Sequence, residues 1–332
     1  MKELSIIGAG SWGTALAIVL APRFPRVRLW VYEKDLAARM AESRENDIYL
    51  PGFRLPSNVQ VEQQLDAALE GAEIVLGVMP SHLARGLYQQ MLPYLNERMV
   101  FVSATKGLET QNLLRMSEVM QEVIGQCFEP QIAAISGPTF AREVAAGVPT
   151  ALVVSSRHSS LAECIQIASS SSAFRLYTSS DTIGVEIGGS IKNVVAIAAG
   201  VLHGMGLGHN TVAALITRGL AEMTRLAVAL GGRQQTLAGL AGLGDLVLTC
   251  TGELSRNRTV GVELARGRKL DEIVTSMKMV AEGIKTTNAA VQLASRCSVE
   301  MPIASQMYEI LYLGASPREA VRRLMERSLK GE

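Results

Sequence analysis

The chain has 332 residues, 48% of them hydrophobic, and its 32 basic and 31 acidic side chains nearly cancel. That length exceeds what one hydrophobic core usually fills and predicts two domains, while a net charge of +1 argues against nucleic acid or an acidic membrane surface as the main partner. Four widely spaced cysteines, Cys127, Cys164, Cys250 and Cys297, form no C-x-x-C pair and read as free thiols in a reducing compartment, which makes a cytoplasmic location the expectation.

Strand-like residues begin at Leu4, leaving no room for a signal peptide, and no run of about 18 apolar residues is free of charge or turn signals, so no membrane insertion is expected. Short β-rich runs follow in order: ELSIIGAG, RVRLWVYE, AEIVLGVMP, MVFVSATKG, QIAAISGP, TALVVSS and FRLYTS. Between them lie stretches such as SHLARGLYQQMLPYL and NLLRMSEVMQEVIG, whose apolar residues recur three and four apart. This alternation predicts an α/β domain with a doubly wound parallel sheet over residues 1–180. After about Ser180 the strand runs stop, and helical patterns with glycine punctuation predict an all-α domain over 181–332. That apolar, methionine-bearing helical half makes a homodimer plausible.

In LSIIGAGSWGTALAIVLA, Gly8, Gly10 and Gly13 make G-x-G-x-x-G directly after a strand and before a helix, the setting of a Rossmann-type dinucleotide site. The first glycine permits the tight turn, the second lets backbone approach a pyrophosphate, and the third packs helix on strand. A ligand-free βα turn is the bland alternative. Two other glycine clusters, HGMGLGHN and GLAGLGDL, follow no strand and read as helix ends and close-packing loops. Twenty residues after Gly13, Glu33 ends the second strand region, where a carboxylate accepts from ribose hydroxyls and repels a 2′-phosphate. Lys34 and Arg28 beside it weaken that inference, and a solvated strand-end charge is the other reading.

Lys106 in SATKGLE follows an apolar strand, where ligands gather in open α/β sheets. In SGPTFAREV, Gly137 and Pro138 end another strand and Thr139 is placed to cap the following helix, which by itself accounts for the segment. In SRNRTVG, Ser255 is a candidate N-cap, with Arg256, Asn257 and Arg258 in the first turn of the helix it begins. Arginines avoid the positive end of a helix dipole, so a pair of them there points to a compensating anion, most simply a phosphate. Asp245, behind a GLG turn, can accept from a substrate hydroxyl or orient a lysine.

Lys192 lies in GGSIKNVVAIAAGVL, an almost wholly apolar run. A lysine there is snorkelling, paired or chemically employed. Its helical neighbours Gly188, Gly189, Val195, Ala196 and Ala199 are mostly small, so another body can come close to the ammonium. It is either an acid or base of lowered pKa in a cleft, or a structural lysine paired to Glu186 or Asp181.

Taken together, GAGSWGTALA, NDIYLPG, SATKGLE, SGPTFAREVA, GGSIKNVVAIAAG, GLGDLVLTC, SRNRTVG and AEGIKT resemble, in order, the signature blocks of bacterial-type NAD(P)-dependent glycerol-3-phosphate dehydrogenases. The resemblance implies reduction of dihydroxyacetone phosphate to sn-glycerol 3-phosphate, feeding glycerophospholipid synthesis. It implies cofactor contacts at Ser11, Trp12, Ala141, Val280 and Glu282, and a Lys106 that touches both cofactor and substrate. Gly137, Thr139, Asp245, Ser255 and Asn257 would hold the glycerol phosphate, Arg256 would serve both ligands, and Lys192 would be the general acid/base. Many bacterial members carry a basic residue after the second strand, whereas Tyr32 and Glu33 stand here, as in NAD-dependent eukaryotic members. The reading therefore leans to NAD, with NADP open.

Two rivals remain. Another two-domain reductase, of hydroxyacid or ketopantoate type, would share the glycine fingerprint and the helical lysine, but the SRNRTVG block favours a phosphate. A non-catalytic dinucleotide sensor would need no set of Lys192, Lys106 and Asp245. His82, His158, His203 and His209 show no ligand spacing, so no metal is expected.

Overall fold

The computed structural model describes residues 2–277 and 281–328. Among them, eight strands form one sheet: β1 (Glu3–Ile7), β2 (Arg26–Trp30), β3 (Val59–Glu62), β4 (Ile74–Gly77), β5 (Val100–Ser103), β6 (Gln131–Ser136), β7 (Thr150–Ser155) and β8 (Phe174–Ser179). They lie in the order β8-β7-β6-β5-β4-β1-β2-β3. The portion from β3 to β6 follows the doubly wound 3-2-1-4-5-6 order, which reverses direction between β1 and β4. Successive side chains on a strand face opposite sides. Ile74 and Leu76 therefore enter one core with Ile6 and Leu29, while Val75 joins Phe101 and Ile7 in the other.

The sheet is not wholly parallel as the sequence pattern predicts. β6 and β7 pair antiparallel, with Ile135 opposite Val154, whereas β7 and β8 are parallel. A parallel return needs a crossover lying over the sheet. The link 137–149 instead folds as the short helix Ala141–Ala145 packed against α1 (Ser11–Leu20), and the next strand enters reversed. β3 and a small antiparallel hairpin pairing Glu45–Asn46 with Leu50–Arg54 were not foreseen. Both are short, and only Val59 of β3 is buried, so neither carries a readable apolar period.

The sheet ends at Ser179, and helix α2 (Thr182–Gly204) begins two residues after the intervening bend. Asp181 caps it, accepting from Gly184 N at 2.8 Å and from Arg233 N at 2.8 Å. By length and composition α2 could cross a membrane, yet its apolar window is entirely buried within the protein. It is the axis around which α3 (His209–Ala229), α4 (Asp245–Thr251), α5 (Arg256–Ala265), α6 (Glu282–Arg296) and α7 (Pro302–Leu313) pack, with α8 (Pro317–Met325) against α7.

The crossing of α2 and α5 is unusually close and uses glycine on both sides. A Cβ on Gly200 would stand 2.0 Å from the Arg258 carbonyl oxygen, and one on Gly261 would stand 2.0 Å from that of Ile197. Backbone cannot yield as a flexible side chain can, so Gly261→Ala should cost about 2 kcal/mol or more through overpacking. Denaturant unfolding checks this, and stability equal to that of the parent protein contradicts the packing account.

Candidate active site

The first half of the site is built by β1, its turn and α1. Gly8 has φ +118°, and a Cβ on it would stand 2.4 Å from the Val78 carbonyl oxygen. A Cβ on Gly13 would meet the Gly8 carbonyl at 1.8 Å, whereas one on Gly10 would meet nothing within 4 Å. The turn is thus packed underneath and open above. Gly10 is the N-cap of α1 and supplies no side chain, and the first turn has no acidic residue. The N–H groups of Ser11, Trp12 and Gly13 lack intrahelical acceptors and lie at the positive end of the helix dipole, an arrangement suited to a pyrophosphate. The buried indole Nε1 of Trp12 also has no partner among the described residues. Glu33 is exposed just beyond β2, and its carboxylate accepts from the Tyr49 hydroxyl at 2.7 Å. These residues fit a dinucleotide.

The second half is a buried ionic cluster. Lys192 projects from the middle of α2 and is 4% exposed, and Asp245 at the start of α4 is fully buried. Lys192 Nζ donates to Asp245 Oδ1 and, at 2.8 Å, to Thr249 Oγ1. Lys106 Nζ, arriving from the loop after β5, donates to the other carboxylate oxygen at 2.8 Å, to the Gly137 carbonyl at 2.9 Å and to Thr139 Oγ1 at 3.2 Å. Burial pushes the Lys192 amine below the ordinary lysine value of 10.5, with Asp245 opposing and the Lys106 charge adding to the fall.

Three sequence readings change here. Glu186 and Asp181, the structural partners considered for Lys192, are engaged elsewhere. Glu186 accepts from Arg115 at 2.7 Å and from Ser117 N at 2.8 Å, and Asp181 caps α2. Thr139 is not a helix cap, since Phe140 holds that position without a side-chain bond, and its hydroxyl serves Lys106 instead. The glycines beside Lys192 admit other parts of the protein itself. A Cβ on Gly188 would stand 2.4 Å from the Ala241 carbonyl in the π-helical turn Leu240–Gly244, and one on Gly189 would stand 2.3 Å from Ser136 Oγ. This close packing delivers Asp245 and the end of β6 to the lysine. Thr249 was missed, although its spacing four residues after Asp245 on one helix face was a usable signal.

A third group surrounds the start of α5. Ser255 caps that helix, its Oγ accepting from Arg258 N at 3.3 Å. Asn257 is buried and doubly committed: Nδ2 donates to Asn193 Oδ1 at 2.9 Å, and Oδ1 accepts from Gly283 N at 2.9 Å. One Nδ2 proton is left over. Asn193 is the other residue not singled out from sequence. The Arg256 guanidinium has no hydrogen-bond partner among the described residues; burial lowers its pKa from 12.5 and Glu282 opposes the fall. Glu282, at the first position of α6, accepts from Ser81 Oγ at 2.7 Å, and burial raises its carboxyl above 4.5 while Ser81 and Arg256 pull it back. A Cβ on Gly107, next to Lys106, would lie 3.0 Å from Glu282 Oε2, so this carboxylate borders the lysine loop. Ala141 opens the short helix packed on α1. Val280 lies outside the described residues.

Comparison with known proteins is consistent along the whole chain. Family models described as NAD-dependent glycerol-3-phosphate dehydrogenase N-terminus and C-terminus match residues 3–162 and 181–322. A Koribacter versatilis protein named glycerol-3-phosphate dehydrogenase, NAD(P)+, is 58% identical over 329 residues, covering 98% of each chain. One of the same name from Syntrophotalea carbinolica is 52% identical over 330 residues, covering 99% of each. The crystal structure of glycerol-3-phosphate dehydrogenase from Coxiella burnetii superposes with a TM-score of 0.94 at 41% identity, covering 98% of this chain and 99% of that one.

The cluster makes a prediction independent of activity. Asp245→Asn removes the counter-ion from two ammonium groups and should cost roughly 3 kcal/mol near neutral pH. Burial holds the Lys192 amine at about 7 in the parent protein and lower still without the carboxylate, so the part of the deficit that comes from its charge is full at acid pH and should shrink as pH rises through about 7. Unfolding curves across pH test this, and a pH-independent deficit contradicts it.

Proposed function

The chain belongs to the NAD-dependent glycerol-3-phosphate dehydrogenase family, and from that premise we propose how its residues divide the work. The protein is an NAD(P)-dependent oxidoreductase interconverting dihydroxyacetone phosphate and sn-glycerol 3-phosphate. Residues 1–180 act as the dinucleotide-binding unit and 181–332 as the catalytic unit. The carrying observation is a buried lysine of lowered pKa, fixed by Asp245 and Thr249, in the same structure as an arginine at the start of α5 that has no hydrogen-bond partner among the described residues.

When bound, the reduced nicotinamide supplies a hydride to C2 of the ketone. Lys192 delivers the accompanying proton to the C2 oxygen, and takes it back in the oxidative direction. Two of its three N–H bonds are used by Asp245 and Thr249, leaving one for that oxygen. Asp245 fixes the amine, and burial together with the Lys106 charge favours the neutral amine left after transfer. All three Lys106 protons are engaged, so its contact with substrate exchanges one of those bonds.

Arg256 takes the substrate phosphate, assisted by the Ser255 hydroxyl, the spare Asn257 proton and the free N–H groups of α5. Gly137 and Thr139 hold substrate through Lys106. Ser11, Trp12, Lys106, Ala141, Arg256 and Glu282 contact the cofactor, and the family resemblance adds Val280, which lies outside the described residues. Glu33 reads the adenosine ribose and favours NAD over NADP. Four cysteines without a disulfide support a reducing, cytoplasmic setting, in which the product supplies glycerophospholipid synthesis, and the working form is a homodimer.

Lys192→Ala should lower turnover by about 10³-fold or more while leaving cofactor affinity nearly unchanged; an active variant removes Lys192 from the role. Arg256→Ala should chiefly raise the KM for dihydroxyacetone phosphate, and an unchanged KM takes Arg256 out of the phosphate site. Reduction needs the Lys192 proton present and oxidation needs it absent. Rates should therefore fall with rising pH in the first direction and climb in the second, both with midpoints below 10.5. Limbs at or above 10.5 contradict the assignment.

A further inference from the structure

The small hairpin after β2 connects the two ends of the adenosine site through hydrogen bonds. Asn46 is fully buried and donates from Nδ2 to the Ala9 carbonyl, inside the glycine turn, at 2.8 Å and to Thr14 Oγ1 of α1 at 2.8 Å. Its Oδ1 accepts from Tyr49 N at 2.9 Å, and the Tyr49 hydroxyl donates to Glu33 Oε1 at 2.7 Å. The turn that faces a pyrophosphate is therefore joined through two side chains to the carboxylate that faces a ribose.

Glu33 needs such a tether. It occupies the N-cap position of helix Lys34–Ser43 but makes no side-chain capping bond, and it is exposed. Left alone, its side chain would lose rotamer freedom on binding a ribose and could turn aside from a phosphate. The Tyr49 bond holds one carboxylate oxygen and leaves the second to accept. Hydrogen bonding to Glu33, and burial, push the phenol up to about 12, so it stays a donor at neutral pH. The hairpin also ties up a cation. Arg39 reaches back toward the start of its helix, touching the Asp35 carbonyl at 3.4 Å, and is held by both oxygens of Asp47 at 3.0 and 3.2 Å. It is thereby occupied, where a free guanidinium would welcome a 2′-phosphate.

We propose that the hairpin is the cofactor-selecting element of this enzyme, with Tyr49 as the positioning residue that locks Glu33 against a 2′-phosphate and Asn46 registering it to the phosphate turn. The inference rests on the assignment of Glu33 to the ribose.

Equilibrium binding of NADH and NADPH to the free enzyme, measured by calorimetry, tests it without turnover. The ratio of the two dissociation constants should favour NADH in the parent protein, and Glu33→Gln should reduce that preference by about tenfold. Tyr49→Phe should reduce it by about threefold, with dihydroxyacetone phosphate KM unchanged. The double variant should match Glu33→Gln alone, because Tyr49 acts through Glu33. An unchanged ratio in Tyr49→Phe beside a shifted one in Glu33→Gln overturns the proposal, as does a double variant whose shift is the sum of the two. An unchanged ratio in Glu33→Gln shows instead that the ribose assignment itself is wrong, and the hairpin's role falls with it.

Discussion

Asp245 is fully buried and takes hydrogen bonds from two lysines that arrive on different segments, one from the loop after β5 and one from the central helix. None of the three charges would be tolerable there alone, because removing one partner of a buried pair leaves an uncompensated ion. The requirement to bring them together explains features that otherwise look unrelated. Gly188 and Gly189 let the π-helical turn and β6 close onto α2, and that turn ends directly at Asp245. On the same helix, Ser190 accepts from Gly107 N at 3.1 Å, pinning the peptide next to Lys106. The helical half and the sheet are thereby tied together through the groups proposed to do the chemistry.

Around this cluster the charges fall into two kinds. Asp245 holds both lysines in the free protein, so the amines are positioned in advance, which in the proposed mechanism lowers the reorganisation required at the moment of reaction. Arg256 is different, because it is half-buried with no hydrogen-bond partner among the described residues, and Glu282 opposes the fall of its pKa. In the proposed function, the substrate phosphate supplies what that guanidinium lacks. In the proposed division of roles, proton transfer is prepared by the protein, while the anion site is completed by its ligand.

Much of this was legible in the residues. Gly8, Gly10 and Gly13 in a strand-turn-helix context have one economical reading, and Ser255 as an N-cap follows from its side chain and position. Local patterns of this kind depend on neighbours in sequence. What the pattern could not reveal depends on neighbours in space. Thr139 looks like a cap and is instead a lysine ligand, because the following helix starts one residue later than its spacing suggests. Glu186 and Asp181 are the carboxylates near Lys192 in sequence, yet it pairs with one 53 residues away. The reversed β7 arises from where a short helix packs, and the hairpin holding Tyr49 has too few residues to announce itself.

The most direct test of the account is the titration of Lys192 itself, followed by NMR in enzyme carrying carbon-13 at the lysine Cε, with the resonance assigned by its loss in Lys192→Arg. The account predicts a midpoint below the ordinary 10.5, since burial and the neighbouring Lys106 charge outweigh the pull of Asp245. A midpoint at or above 10.5 would mean that the carboxylate holds Lys192 as a permanent cation, and the buried pair would then be a structural bond unable to exchange a proton with substrate.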